Sequence, residues 1–337
     1  MTRTVIVARS VAVVGAAAGL TMTACGGSTA ASGDGDRLRV TTTVAPITSI
    51  VASVAGDAAE VTGTVPEGAD SHTFEPAPSV AETLSTSDVL FLNGLQLEQP
   101  VAELAESTLP ADAPVVRLGE ETITPDEYVF DFSFPQDEGL PNPHLWTNPP
   151  MVGRYAEVVN DTLSQLDPDR AAIYRANYEA FAERVDELDA AMRQATTTLA
   201  PDERRLLTYH DSFPYFAREY GWEIIGAIQP SDFSEPSPGE VADLIDQVRR
   251  TGVPAIFGSE VFPSPVLRQV GAETGTRYVD DLRDDDLPGE PGDAEHSWLG
   301  LMRFNFATMV EALGGDASAI KAVDVTPTVP DGASYPQ

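Results

Sequence analysis

The sequence predicts an α/β protein of two pseudo-repeated lobes, each a mostly parallel four-stranded sheet flanked by helices, joined by one long rigid linker helix. Three observations carry this. From Arg37 onward, short Val/Ile/Leu runs alternate with longer amphipathic segments, the pattern of β-α units. The second half then repeats the first in order: Thr43 matches Thr208, Gly56 matches Gly221, Gly63 matches Gly226, Glu75-Pro76-Ala77-Pro78 matches Glu235-Pro236-Ser237-Pro238, and Leu90-Phe91 matches Ile256-Phe257. The offsets are 165, 165, 163, 160 and 166 residues. Between the halves lies a glycine-free run rich in Ala, Glu and Arg, from Asp167 to Ala200.

The strands of the first lobe are expected at 37–43, 60–65, 89–93 and 114–118, and those of the second at 205–210, 222–227, 255–260 and 277–280. Asp167 as N-cap with Pro168 at the first helical position starts the linker helix, and Ile173, Tyr178, Phe181, Val185, Leu188 and Met192 recur at helical spacing to give it a buried face. About 30 helical residues span about 45 Å, enough to cross a protein of this size and to restrain movement between its lobes. The expected divisions are an N-terminal lobe at 37–166, the linker at 167–200, a C-terminal lobe at 201–325 and a tail at 326–337.

Composition narrows the function. The 337 residues carry 20 Lys+Arg against 53 Asp+Glu, a formal charge of −33, and Lys321 is the one lysine. Such a surface repels phosphate backbones, so no nucleic-acid partner is expected, whereas metal cations and basic proteins suit it. Arg3 and Arg9 precede an apolar stretch from Val11 to Met22 about half as long as a bilayer span requires, which reads as a secretion signal over 1–24. The sole cysteine, Cys25, follows Met22-Thr23-Ala24 and resembles the lipobox of bacterial lipoproteins, although Met22 stands where Leu is usual. Residues 25–36, Gly/Ser-rich, form a flexible tether reaching about 18 Å from that lipid anchor.

Four histidines occur: His72, His144, His210 and His296. The first three, with Asp280, fall at or beyond carboxyl ends of expected strands, where open α/β sheets bind ligands. Their intervals of 72, 66 and 70 residues exclude a local finger or an HExxH helix, so only tertiary structure could assemble them. Three imidazoles and a carboxylate are a tetrahedral zinc set, and Mn2+, which favours more oxygen ligands, is the lesser candidate. His296, within GDAEHSW, is read as a solvated residue at the start of the last helix, and Glu260 as an acceptor for a ligand histidine.

The stretches VPEGADSHTFEPAPS, DVLFLNGLQLE, PHLWTNPP, YHDSFPYFAREYGW, EPSPGEVADLI and YVDDL resemble those of the zinc/manganese solute-binding lipoproteins of ABC transporters, from about Arg37 to Leu313. The string His144-x-Trp146-x-Asn148-Pro149 is the most specific piece. The resemblance implies metal ligands at His72, His144, His210 and Asp280, with Asp281 the adjacent alternative. It also implies a zinc rather than a manganese member, because the manganese members carry Glu where His210 stands. It departs from the zinc members in one respect: residues 120–143, where many have a His-rich loop, contain no His.

The expectation is therefore an extracytoplasmic, lipid-anchored, monomeric receptor that captures Zn2+ between two lobes for an ABC permease and its ATPase. The acidic loop from Asp280 to Glu295 is expected either to attract cations or dock a metal-delivering protein, or to be a solvated, mobile loop. A manganese-binding member, a secreted zinc hydrolase and an adhesin lipoprotein are the alternatives. The hydrolase is disfavoured because no G-x-S-x-G, H-E-x-x-H or P-loop string occurs.

Overall fold

The computed structural model describes residues 37–131, 133–228, 237–259 and 265–336. The leader over 1–24, Cys25, the tether over 25–36 and Glu260 lie outside the described residues.

All eight expected strands form. β1 (Leu38–Thr41), β2 (Ala59–Thr62), β3 (Val89–Leu92) and β4 (Val115–Arg117) make one parallel sheet in the order β2-β1-β3-β4. β5 (Arg205–Thr208), β6 (Glu223–Ala227), β7 (Ala255–Ser259) and β8 (Arg277–Leu282) make a second parallel sheet, ordered β6-β5-β7-β8. The identical permutation of strands is the structural counterpart of the repeat in sequence. Most strands are shorter than expected, but β8 runs two residues longer.

Crossover helices connect the parallel strands: α1 (Ala45–Ala55), α2 (Pro78–Ser85) and α3 (Gln99–Thr108) in the first sheet, α7 (Pro214–Tyr220), α8 (Pro238–Thr251) and α9 (Pro265–Thr274) in the second. Proline occupies the first turn of α1, α2, α3, α7 and α8, where its missing N–H costs no intrahelical bond. At α8, Ser237 and Glu240 close a capping box.

After the short α4 (Leu118–Thr122) come α5 (Pro149–Leu166), a 3-10 turn over Pro168–Arg170, and α6 (Ala171–Thr196), the expected long connector. Asp167 binds the Arg170 guanidinium at 2.7 Å and the Tyr174 hydroxyl at 3.1 Å. Three residues of tighter winding rotate the following face. As a result Tyr174, fully buried, takes the inward position expected for Ile173, which is 48% exposed. Phe181, Val185, Leu188 and Met192 face inward as expected.

α6 contacts both halves. Asn177 donates to Val54 O in α1, while Tyr220 and Trp222 of the second half hydrogen-bond Asp189 and Thr196. α10 (Trp298–Ala312) packs against α1 and α6, and α11 (Ser318–Lys321) against α6 and α10. One continuous apolar core thus joins Val40 and Phe91 of the first sheet, Tyr155, Phe181 and Trp298 of these helices, and Leu206 and Phe257 of the second sheet. Near Ser334 the chain bonds the edge of β2, through Gly63 N to Ser334 O and Ser334 N to Val61 O, both at 2.9 Å.

Candidate metal centre

Three imidazoles converge where the carboxyl ends of the two sheets face each other. The Nε2 atoms of His72, His144 and His210 form a triangle with sides of 3.2, 3.1 and 2.9 Å. They are the one group of three or more His, Cys, Asp or Glu donors gathered this closely among the described residues. Each comes from its own stretch of sequence.

His72 lies in the loop after β2. Asp70 shapes its turn, accepting from His72 N at 2.9 Å and from Thr73 Oγ1 at 2.9 Å. His144 is held by Asn142, whose Oδ1 accepts from both His144 N (2.9 Å) and Nδ1 (2.8 Å). An amide oxygen can only accept, so the ring proton sits on Nδ1 and the Nε2 lone pair is turned into the triangle. Asn142 Nδ2 donates onward to Asp131 Oδ2 and to Asp211 O, next to His210.

The HLWTNPP string now has a physical reading. Trp146 packs its ring 4.9 Å from that of His144 and donates from Nε1 to Asp284 O. Thr147 Oγ1 reaches Ser212 O, and Asn148 donates to Tyr215 O while its Oδ1 caps α5 ahead of Pro149. A short string therefore fastens the loop of His144 to the segment that follows His210. NGLQLE supports it from below. Buried Glu98 accepts from Thr43 Oγ1, Asn93 N and Gly94 N, and Asn93 Nδ2 donates to Pro143 O. That turn needs φ of 85° at Gly94, where a Cβ would also collide with the Glu120 side chain.

Burial, and next the positive charge that His210 could carry, push the His72 imidazole well below its usual range, and burial with the other two rings does the same to His144. Both are neutral at physiological pH, the protonation state a metal ligand needs. With His72 and His210 in the matching tautomer, all three rings would turn a lone pair toward one cation.

The structure does not bring Asp280 to this cluster. In β8 Val279 and Leu282 are buried and Asp280 is exposed, the pairing with β7 shifting register between Val279 and Leu282. Because β8 continues to Leu282, its carboxyl end delivers Asp284 and Asp285 instead, 4% and 6% exposed. Asp285 Oδ2 accepts from Ser71 N, beside His72, and its Oδ1 is buried with no hydrogen-bond partner. Burial pushes this carboxyl up to about 8. Burial also raises Asp284, against the favourable field of His210 and a bond from Ser259. The acidic loop is therefore buried around Asp284, Asp285 and Leu287 and exposed from Gly289 to Asp293. Gly68 N to Asp286 Oδ1 and Leu287 N to Glu67 Oε1 stitch it further to the His72 loop.

His296 is likewise buried, not solvated. It precedes Ser297, the N-cap of α10, with its ring edge-on to Tyr335 at 4.8 Å and its Nε2 3.9 Å from Glu67 Oε1. Sequence reasoning also passed over Asn142, Asp131 and Phe134, all in the histidine-free segment before His144. Asn142, two residues from His144, was the one with a visible signal.

Two parallel sheets bridged by long helices, with nitrogen donors assembled between their carboxyl ends, define a two-lobed metal-binding protein. The profile of the family described as "ZnuA: Zinc-uptake complex component A periplasmic" matches residues 40–312, and the chain belongs to that family. It is a family of binding proteins, not of enzymes. The chain is 29% identical over 290 residues to the manganese-binding lipoprotein MntA of Halalkalibacterium halodurans, covering 86% of this chain and 93% of that one. It is 28% identical over 296 residues to the zinc-binding protein TroA of Treponema pallidum, covering 85% and 92%. The solved structure of the periplasmic TroA superposes with a TM-score of 0.74 at 27% identity, over 82% of this chain and 99% of that one.

Proposed function

We propose that the protein is the extracytoplasmic receptor of an ABC metal importer, holding Zn2+ between His72, His144 and His210 and passing it to the permease and ATPase subunits. The observation that carries this is the convergence of three Nε2 atoms within 3.2 Å of one another. Nitrogen-rich donor sets favour zinc over manganese. The relatives are named for either metal, so the preference rests on the donor set. For the fourth ligand we replace Asp280 by Asp285, whose buried Oδ1 lacks a partner that a cation would supply. A shell of four protein donors suits holding a metal rather than reacting at it. Lipid anchoring through Cys25 belongs to the same reading and is supported by the lipoprotein relatives; a metal-delivering partner at the acidic loop would have to use its exposed part, near Glu290 and Asp293.

Elemental analysis of the purified chain, with competitive titration of zinc against manganese, tests this. One zinc per chain and a zinc preference are expected, and the preference should fall in His210→Glu. An unchanged preference in that variant would remove the argument from the donor set.

A further inference from the structure

The segment 120–143 lacks histidine, yet it reaches the triangle with a different side chain. Phe134, 6% exposed, has its ring centroid 5.5 Å from that of His72, 5.8 Å from His144 and 6.3 Å from His210. The three imidazole centroids are themselves 4.7 to 5.2 Å apart. Near-equal distances to all three put the benzene ring close to the axis of the triangle, facing one side of it. It meets His144 and His210 edge-on, at 66° and 79°, and is tilted at 42° to His72.

Polar bonds hold the backbone that carries this ring. Asp131 N donates to Phe134 O at 2.9 Å, and Phe134 N to Asp131 Oδ1 at 3.2 Å, so the turn closes on itself. Asp131 Oδ2 takes the Asn142 amide at 2.9 Å. The same Asn142 fixes the tautomer of His144. One short network thus aims a ligand and places an apolar ring beside it.

We propose that Phe134 is a specificity-determining lid, which bars water from the coordination sphere and so holds the captured ion to four protein donors. This rests on the reading that the three histidines hold the metal. An apolar wall offers no hydrogen bond to a bound water and leaves it no room. Zinc is content with four ligands, whereas manganese seeks an oxygen-rich octahedral shell, to which water would contribute. Discrimination thus comes from excluding water as well as from donor type, and the lid also slows the approach of competing ligands to the bound ion.

The test is a graded series in the full chain, Phe134→Leu, Phe134→Val and Phe134→Ala, loaded with Co2+ as a spectroscopic stand-in for zinc. Wild type should show the intense visible d–d bands of four-coordinate cobalt. These should weaken toward a five- or six-coordinate spectrum as the side chain shrinks, with the zinc-over-manganese preference falling by about tenfold in the alanine variant, the lower end of effects for groups surrounding a metal. Zinc release to a chelator should quicken in the same order, and Phe134→Leu should stay near wild type. Should Phe134→Ala not fold, the comparison of Leu with Val carries the test. Unchanged cobalt spectra and preference in the folded, metal-binding variants would overturn the lid. Retention of one metal per chain when His72, His144 and His210 are all replaced by alanine would instead overturn the site on which it rests.

Discussion

Asp280 and Asp285 differ by five positions, and that interval separates an exposed carboxylate from one enclosed beside His72. Asp280→Asn is therefore expected to leave zinc affinity within about twofold, while Asp285→Asn should lower it by at least tenfold, measured by competition with a chromogenic chelator. The acidic run reads DDLRDDDL, so several carboxylates could be set at the strand end by a shift of a few residues, and nothing in the pattern announces where β8 stops. His296 was misread for a related reason. Acidic neighbours suggest water, but the ring's burial comes from Tyr335 and Glu67, distant in sequence. The three histidines that the structure brings together were legible as candidates because their residue type is scarce in this chain and each follows an expected strand. At Asp131, burial and then Asp211 push the carboxyl up to about 9. The folded state therefore binds that proton more tightly than the unfolded chain, with its pKa near 3.8, and stability should fall as pH rises between those values. Asp131→Asn should flatten that decline, seen as a smaller loss of denaturation midpoint between pH 6 and pH 9.

At the scale of elements, the strands were read well and their lengths less so. Short β-branched and aliphatic runs bounded by polar turns leave little choice of type, whereas the last pair in a ladder depends on the neighbouring strand. The linker was legible as a helix from its composition, but its phase was not. The turn at Pro168–Arg170 rotated the start of α6 and put Tyr174 where Ile173 was expected. Leu188, fully buried in the middle of α6, belongs to the core shared by both sheets. Leu188→Ala should cost about 2–5 kcal/mol in chemical denaturation, and it should do so in one cooperative transition reported equally by probes in either sheet. Separate transitions would mean that the core does not join them energetically.

Over the whole molecule, that shared core and the bonds of α6 to both halves oppose hinge motion between the sheets. Paired spin labels placed on α3 and α8 should give the same distance distribution with and without zinc, and a change of several ångströms on loading would refute this. Burial holds the His72 and His144 imidazoles well below 6.5, so they stay neutral as pH falls through the ordinary histidine range. Below 6.5 the unfolded chain takes up those protons before the folded one does, so the apo protein should lose stability as pH drops through that window. Thermal melts of apo protein between pH 7.5 and 5.5 will show it.

The two loops that meet across the site, one carrying His72 and the other Asp285, are stitched at Gly68, Ser71 and Leu287 by side chains from more than 200 residues away. If the body of the receptor hardly alters on loading, a transporter has little outline by which to tell cargo-bearing copies from vacant ones. The difference left for it to sense would lie in these two loops, which an ion held by both His72 and Asp285 would tie together once more.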